Sequence, residues 1–562
     1  MSGLEVTYEW GQIPWRKLEI SVFKLQKRIY KASQAGDIQK VHRLQRLLLS
    51  SRAAKLLAVR RVTQDNQGKN TAGVDGVKSL KPDERLALAE DLGRLPIGRP
   101  TRRVWIPKPG KDEKRPLGIP CMLDRAHQAM VKLALEPEWE AIFEPNSYGF
   151  RPGRSVHDAI GAIFIAIEKQ PKYVLDADIA KCFDRIDQKA LLEKMGTFPA
   201  VRRKVNRWLK AGVMDQGVFA ETQMGTPHGG VLSPLLANIA LHGLESHLCD
   251  AFPERLRDSQ SGKRICWKPQ VIRYADDVRH RDREVVEQCR RMAEEWLKGI
   301  GLELSPKKTR IAHTLEMIEG EAGFNFPGFN IRHYPVSKYN SAGGRGFKTL
   351  IKPSKEAVKR HYEDLAYIIS RNKTARQEDL IELLNPVITG WSNYYRAVVS
   401  KETFQSLDKQ LYVRLMQWAR HRHPKKSARW IARRYWLMEP GREWIFTAKD
   451  GPVLTQHGNV AIIRHVKVKG TVSPYDGNWC YWASRRGAYP GVSQRVARTL
   501  KVQKGRCNAC GLFFLPDALL EIHHLDGNRG NNRYSNFSAV HRHCHHRIHS
   551  GGAGALQALR CS

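Results

Sequence analysis

The sequence predicts a multidomain α+β protein, and three observations carry that prediction. A chain of 562 residues is longer than one hydrophobic core usually organises, so several domains are expected. From Arg102 to about Arg332 short strand-like runs alternate with longer helical patterns, whereas residues 16–62 and the chain beyond Gly346 are helical in pattern. Near the C-terminus two knuckles of cysteine and histidine enclose a stretch too short to fold on apolar burial alone, which points to a metal staple.

Lysine and arginine number 94 against 56 aspartates and glutamates, a formal net charge of +38. So large a surplus costs self-repulsion unless a polyanion offsets it, and nucleic acid is the simplest such partner. A membrane is not indicated, because the chain has no run of 18 apolar residues and no basic amphipathic anchor. Met1 to Trp15 is mixed and polar, without the layout of a signal peptide, so a cytoplasmic or nucleoid location is expected. Ten cysteines are too sparse for a disulfide framework.

The elements follow in order. Residues 16–62 read as helices rich in Leu, Lys and Arg, and residues 66–73 as a loop. Ser155 with Asp158 makes a capping box that opens a helix through Ile167. Arg283 to Lys298 is an amphipathic helix stopped by Gly299 and Gly301. Pro335 to Gly346 reads as a linker, and Thr374 with Gln377 as a second capping box before Leu380. Seven of the 14 tryptophans lie from Trp391 onward among basic residues. Most of them are expected in the core. Lys425, Lys426, Arg433 and Arg434 are the better candidates for contact with RNA.

Two acidic strand ends carry the chemistry. Val271 to Ala275 reads as a strand turning into a hairpin with Asp276 and Asp277 at its tip. Tyr173 to Ile179 reads as a second short strand that presents Asp178, with Phe183 and Asp184 just beyond. Phosphoryl transfer needs carboxylates that clamp two divalent ions on the attacking and leaving oxygens. Hard oxygen donors of this kind suit Mg²⁺, so Asp178, Asp276 and Asp277 are the candidate ligands.

Further motifs stand around these strands in a fixed order. They are Arg115-Pro116-Leu117-Gly118-Ile119-Pro120, Asn146 to Gly153, Gly225 to Pro234, Leu304 to Thr309 and Phe326-Pro327-Gly328-Phe329. With the two acidic strands, this series resembles the group II intron-encoded reverse transcriptases, or maturases. The resemblance implies an N-terminal helical RNA-binding extension over 1–70 and the fingers and palm of a right-hand polymerase over 71–340. It implies a helical thumb and maturase domain over 341–450 and a DNA-binding region over 451–495. Phe183 would lie under the sugar of the incoming dNTP and exclude a 2′-hydroxyl, and Lys308 would approach the active site. Some of Arg102, Arg103, Lys108, Lys111, Lys114 and Arg115 would meet the triphosphate or template.

The chain departs from the family at two places. His228 stands where the glycine-rich motif usually has Gln, so nucleotide binding there would use different donor and acceptor positions. The acid pair is followed by Val278-Arg279-His280-Arg281-Asp282, where the family has about four apolar residues. Either the return strand is short and its basic groups reach solvent, or the palm is damaged there, since a buried unpaired charge is costly.

The knuckles are Cys507-Asn508-Ala509-Cys510 and His541-Arg542-His543-Cys544. Cys507, Cys510, His541 and Cys544 form a candidate structural Zn²⁺ set, with His543 as the alternative nitrogen ligand. Between them a strand delivers His523 and His524 into a loop, followed by Asn536 and then by His545 and His549 on one helical face. This arrangement resembles the H-N-H endonucleases, of ββα type, over 496–562. The resemblance makes His524 the general base, Asn536 its orienting residue, and His523, His545 and His549 the ligands of one catalytic divalent ion. The implied whole binds its intron RNA, nicks target DNA and copies RNA with dNTPs. The alternative is an RNA-binding maturase and nuclease with an inactive polymerase site.

Overall fold

The computed structural model describes residues 9–550 apart from 94–96, 108–113, 227–228, 258–263, 275, 281, 319, 338, 340–344, 438–443, 449–450, 478–480, 483–484, 486–492 and 515–517. Helices Trp15–Gln34, Ile38–Ser50 and Arg52–Arg60 pack against the long helix Met122–Glu140. Val22, Ile29, Leu44 and Leu48 form their shared core with Ala134. The buried Gln45 side-chain nitrogen donates to the backbone oxygen of Ala134 (3.2 Å) and to Glu138 (2.6 Å), which ties the second helix to the long one.

Strands β1 (Thr101–Pro107) and β2 (Lys114–Ile119) form an antiparallel pair. β3 (Tyr173–Asp176) belongs to a second sheet, while β4 (Val213–Asp215) and β5 (Val218–Ala220) extend the first in the order β2-β1-β4-β5. β6 (Arg255–Arg257) and β7 (Arg264–Cys266) make a separate hairpin. β8 (Gln270–Arg273), β9 (Asp276–His280) and β10 (Arg310–His313) complete the second sheet in the order β10-β3-β9-β8.

That second sheet is buried on both faces, and the two-residue period of a strand explains how. Leu175 and Val271 face a core shared with helices Ser233–Leu241 and Arg283–Lys298. Val174, Ile272 and Ala312 face the other core, with Tyr148, Ile163 and Phe324. The helix Val156–Ile167 opens with the expected box: Ser155 and Asp158 each bond the other's backbone N–H. Arg283–Lys298 runs as its apolar stripe predicts and ends at Gly299.

β11 (Phe324–Phe326), β12 (Phe329–Pro335) and β13 (Phe347–Pro353) form a third antiparallel sheet. Pro335 pairs with Phe347, so the stretch expected as a linker is the connection of a hairpin within one sheet. Helices Lys355–Arg371, Gln377–Tyr395, Lys401–Arg422 and Ala428–Tyr435 then bundle around Leu365, Leu384, Leu411, Leu415 and Trp418. The capping box expected at Thr374 and Gln377 is not formed: Arg376 is the N-cap and makes no side-chain cap bond. Trp418, Trp436 and Trp482 are buried, whereas Trp430 and Trp444 are exposed. β14 (Trp436–Leu437) pairs with β15 (Ile445–Phe446).

The C-terminal module is a helix, Gln494–Val502, then a hairpin of β16 (Leu520–His524) and β17 (Phe537–His541), then the helix Arg542–Ser550. No helix among the described residues is long and apolar enough to cross a membrane.

Candidate functional sites

At the palm, the backbone register brings the acidic strand ends together. β9 lies between β3 and β8, with Leu175 opposite Val278 and Ile272 opposite Asp277. The paired ladder of β3 and β9 stops there, so Asp176 to Asp178 leave β3 at the same sheet edge where β9 begins with Asp276 and Asp277. Arg273 pairs with Asp276, so the two acids begin the return strand and do not form the tip of the hairpin. The side chains of Asp276 and Asp277, and all of His228, Lys108 and Lys111, lie outside the described residues.

Asp178 is described and half exposed, and Lys308 Nζ lies 2.8 Å from its Oδ2. The Asp178 backbone oxygen accepts from Ser305 N at 2.7 Å, which ties the Leu304–Thr309 motif to the end of β3. Next to it on the strand, burial pushes the Asp176 carboxyl up, and Arg310 and Arg279 pull it partly back. Phe183 is half-buried and meets the ring of Phe150 edge-on at 6.0 Å. Phe150 is 65 % exposed and held at φ 57°, an uncommon backbone state for a bulky residue. Gly225 must be glycine on two counts: φ is +78°, and a Cβ would stand 2.5 Å from the backbone of Phe183 and Asp184. Of the basic finger residues, Arg102 is committed to the Ala72 carbonyl (2.9 Å), while Lys114 and Arg115 are exposed.

The return strand departs from the expectation of a short strand with solvated basic groups. β9 runs its full five residues and pairs on both sides. Its basic groups do not reach solvent: Arg279 is 0 % exposed and His280 3 %. Because Arg279 pairs with Val174 it faces the Phe324 core, and its guanidinium lies over the Phe324 ring at 5.2 Å. His280 faces the opposite side, where it meets Trp267 edge-on and its Nδ1 accepts from Asp282 N at 3.0 Å.

The region expected to bind DNA is drawn onto the palm. Asp158 Oδ1 accepts from Val468 N (2.7 Å), lies 2.9 Å from His465 Nε2, and accepts from Arg485. Burial alone would raise the Asp158 carboxyl, but these partners hold it down at about 2. Tyr475 donates to Glu136 (2.8 Å), and Trp482 packs where a Cβ on Gly153 would clash. Tyr475, Trp482 and Arg485 are therefore committed to packing.

In the C-terminal module, Cys507, Cys510, His541 and Cys544 are all buried, with donor atoms within 4.8 Å of one another. His541 Nδ1 lies 3.3 Å from Cys510 Sγ. Bonds from Cys510 and Cys544 hold the Cys507 thiol down, towards thiolate. Burial disfavours charge on His541, yet Cys507 and Cys510 outweigh it and lift the ring to about 9. The same contacts push the Cys544 thiol up, so the thiols share protons that a metal would displace; three buried thiols and one imidazole at this spacing fit Zn²⁺. His543 is not among these donors and turns instead towards Glu19, 3.7 Å away.

His523, His545 and His549 form the second group, again within 4.8 Å. His523 Nε2 is buried without a hydrogen-bond partner, as a nitrogen kept for an ion would be. His545 Nδ1 lies 2.7 Å from Glu521 Oε2, which leaves its Nε2 beside that of His549 at 3.1 Å. Sequence reasoning missed Glu521, although its place two residues before His523 on the same strand face was the available signal. His524 lies at the end of β16 with its ring against Phe537. Asn536 does not bond His524: its amide donates to Asp526 Oδ1 (2.8 Å) and the Asn531 oxygen (2.9 Å), so it holds the loop after His524.

Comparison with known proteins agrees with this layout. Residues 10–92 match the N-terminal domain of reverse transcriptase, 106–331 the reverse transcriptase (RNA-dependent DNA polymerase) family, and 358–436 the group II intron maturase-specific domain. The chain is 34 % identical over 315 residues to Protein YkfC of Escherichia coli, covering 48 % of this chain and 80 % of that protein. It is 34 % identical over 226 residues to the group II intron-encoded protein LtrA of Lactococcus lactis, but this covers only 39 % of this chain and 37 % of LtrA. Maturase-like protein 1 of Euglena gracilis is 30 % identical over 250 residues, 42 % of this chain and 52 % of that protein. With reverse transcriptase and maturase domains matched in order, the chain belongs to the family of group II intron-encoded proteins.

Proposed function

We propose that this protein binds its intron RNA to assist splicing, nicks target DNA with its C-terminal module, and copies the RNA into DNA from the nicked 3′ end. The observation that carries the polymerase reading is the shared sheet edge of Asp178, Asp276 and Asp277. Mg²⁺ held there would supply activation of the primer hydroxyl and stabilisation of the leaving group. Lys308 neutralises Asp178 until an ion takes its place, and Phe183 with Phe150 offers the aromatic wall against the dNTP sugar. The intact β9 ladder speaks against the inactive-polymerase alternative, because the strand that carries the acids is anchored on both sides.

The nuclease reading rests on a β-hairpin and helix that gather three histidines beside a separate Cys₃His set. His524, an imidazole at the end of β16 beside the three histidines, is the base we assign to activate water. An annealed RNA template and DNA primer with dNTPs and Mg²⁺ tests the polymerase, and the expected result is extension. RNA binding without extension would leave only the maturase role. His524→Ala is expected to abolish DNA nicking and to spare both splicing and extension. Loss of all three would count against separate sites.

A further inference from the structure

The C-terminal module touches the N-terminal helices through the same side chain that supports its histidine site. Arg542 opens the last helix. Its Nε donates to Glu521 Oε1 at 2.7 Å, and a terminal nitrogen donates to the backbone oxygen of Asp65 at 3.0 Å. The other Glu521 oxygen lies 2.7 Å from His545 Nδ1. Alongside, His543 approaches Glu19 at 3.7 Å, and Glu19 pairs with Arg60 at 2.7 Å. The seam is partly shielded from water: Arg60 is buried, and burial pushes the Asp65 carboxyl up against the pull of Arg60, Arg61 and Arg542.

We propose that the N-terminal helical region is a positioning element of the His523, His545 and His549 metal site, acting through Arg542 and Glu521. The inference rests on reading those three histidines as ligands of one divalent ion. A ligating imidazole needs its second nitrogen bonded, because that bond sets its tautomer and its angle. Glu521 provides the bond, but a carboxylate on a two-methylene stem can rotate away. Arg542 holds the opposite oxygen, and the Asp65 carbonyl holds Arg542 from outside the module. Arg542 and Glu521 are positioning residues, and neither is a ligand. Because the coupling is a difference in binding free energy, it runs both ways: ion binding tightens the seam by the factor by which the seam tightens ion binding.

The test uses the zinc-loaded full chain titrated with Co²⁺, whose visible absorption reports its ligands. Absorption that disappears in His549→Ala belongs to the histidine site. Glu521→Gln and Arg542→Ala are expected to weaken that binding by about 10- to 100-fold, with zinc content unchanged. Arg542→Lys, which keeps the charge but not the fork, replaces the alanine variant if the latter loses zinc. Saturation with Co²⁺ is expected to slow amide hydrogen exchange over residues 61–66 in the parent, and not in His549→Ala or Arg542→Ala. If His549→Ala leaves the Co²⁺ absorption whole, the ligand reading itself fails. If it removes the absorption, yet Arg542→Ala binds Co²⁺ like the parent and exchange over 61–66 ignores the ion, the positioning role is overturned while the ligand reading stands.

Discussion

The palm and the C-terminal module both gather groups suited to metal, but they hold them in opposite ways. In the palm the candidate carboxylates leave a sheet edge that is already secured by two large apolar cores, one on each face. In the module the apolar cluster is small, and Cys507, Cys510 and Cys544 are themselves part of it. The palm can therefore be expected to fold without its ion, whereas the module needs one. The donors agree with this division: Asp178 is half exposed and open to exchange, while the Cys₃His set is buried.

The comparison breaks most visibly on removing zinc. Structural zinc in small modules contributes roughly 10–16 kcal/mol of apparent binding free energy, more than such a core supplies. Chelation or Cys507→Ser is expected to unfold residues 496–550 and leave the palm protected, as read by limited proteolysis. Equal protection of the module with and without zinc would refute the division. In the palm, Asp178→Asn is expected to reduce primer extension by about 10³-fold or more, since a lost metal ligand removes several kcal/mol of transition-state stabilisation. Its melting temperature should stay near that of the parent, because the removed charge is half exposed and its pair with Lys308 is worth little to stability.

A smaller effect sharpens what holds the acids in place. Arg279→Met keeps the volume beneath β9 and removes a buried charge, so it should be neutral or stabilising by about 1–4 kcal/mol in denaturant unfolding. Arg279→Ala opens a cavity against Phe324 and should cost about 2–5 kcal/mol. If the methionine variant were as damaging as alanine, the charge itself would be needed at β9.

The helical bundle between the two sites supplies the mildest test. Burial, and then the charge of His457, hold His361 far below its ordinary 6.5, at about 3. The folded pKa lies below the unfolded one, so the ring's contribution is full above about 6.5 and fades as pH falls towards 3. The protection of amides along Lys355–Arg371, after correction for the intrinsic slowing of exchange with acid, should fall over that range, and His361→Gln should flatten the fall.

Much of this was legible in the residues. The box at Ser155 and Asp158 and the helix Arg283–Lys298 are local, and local chemistry fixed them. The expected box at Thr374 failed because a cap depends on where the chain enters the helix, and the chain enters at Arg376. The stretch 335–346 looked like a boundary because a hairpin turn and a linker share the same composition. Within the region 451–495 the partners of Tyr475, Trp482 and Arg485 could not be read in advance, because a basic or aromatic side chain shows its partner only after folding.

By itself the sequence determined which residues could do chemistry: the two acidic strand ends, the paired knuckles and the three histidines follow from residue type and spacing. Only the tertiary structure decided what each of them leans on. Arg279 is buried because the register opposite Val174 turns it towards Phe324, Asn536 holds a loop instead of a base, and Glu521 with Arg542 links a metal site to helices at the far end of the chain. Spacing along a chain specifies periodic neighbours, whereas contacts between distant segments arise only when whole elements pack.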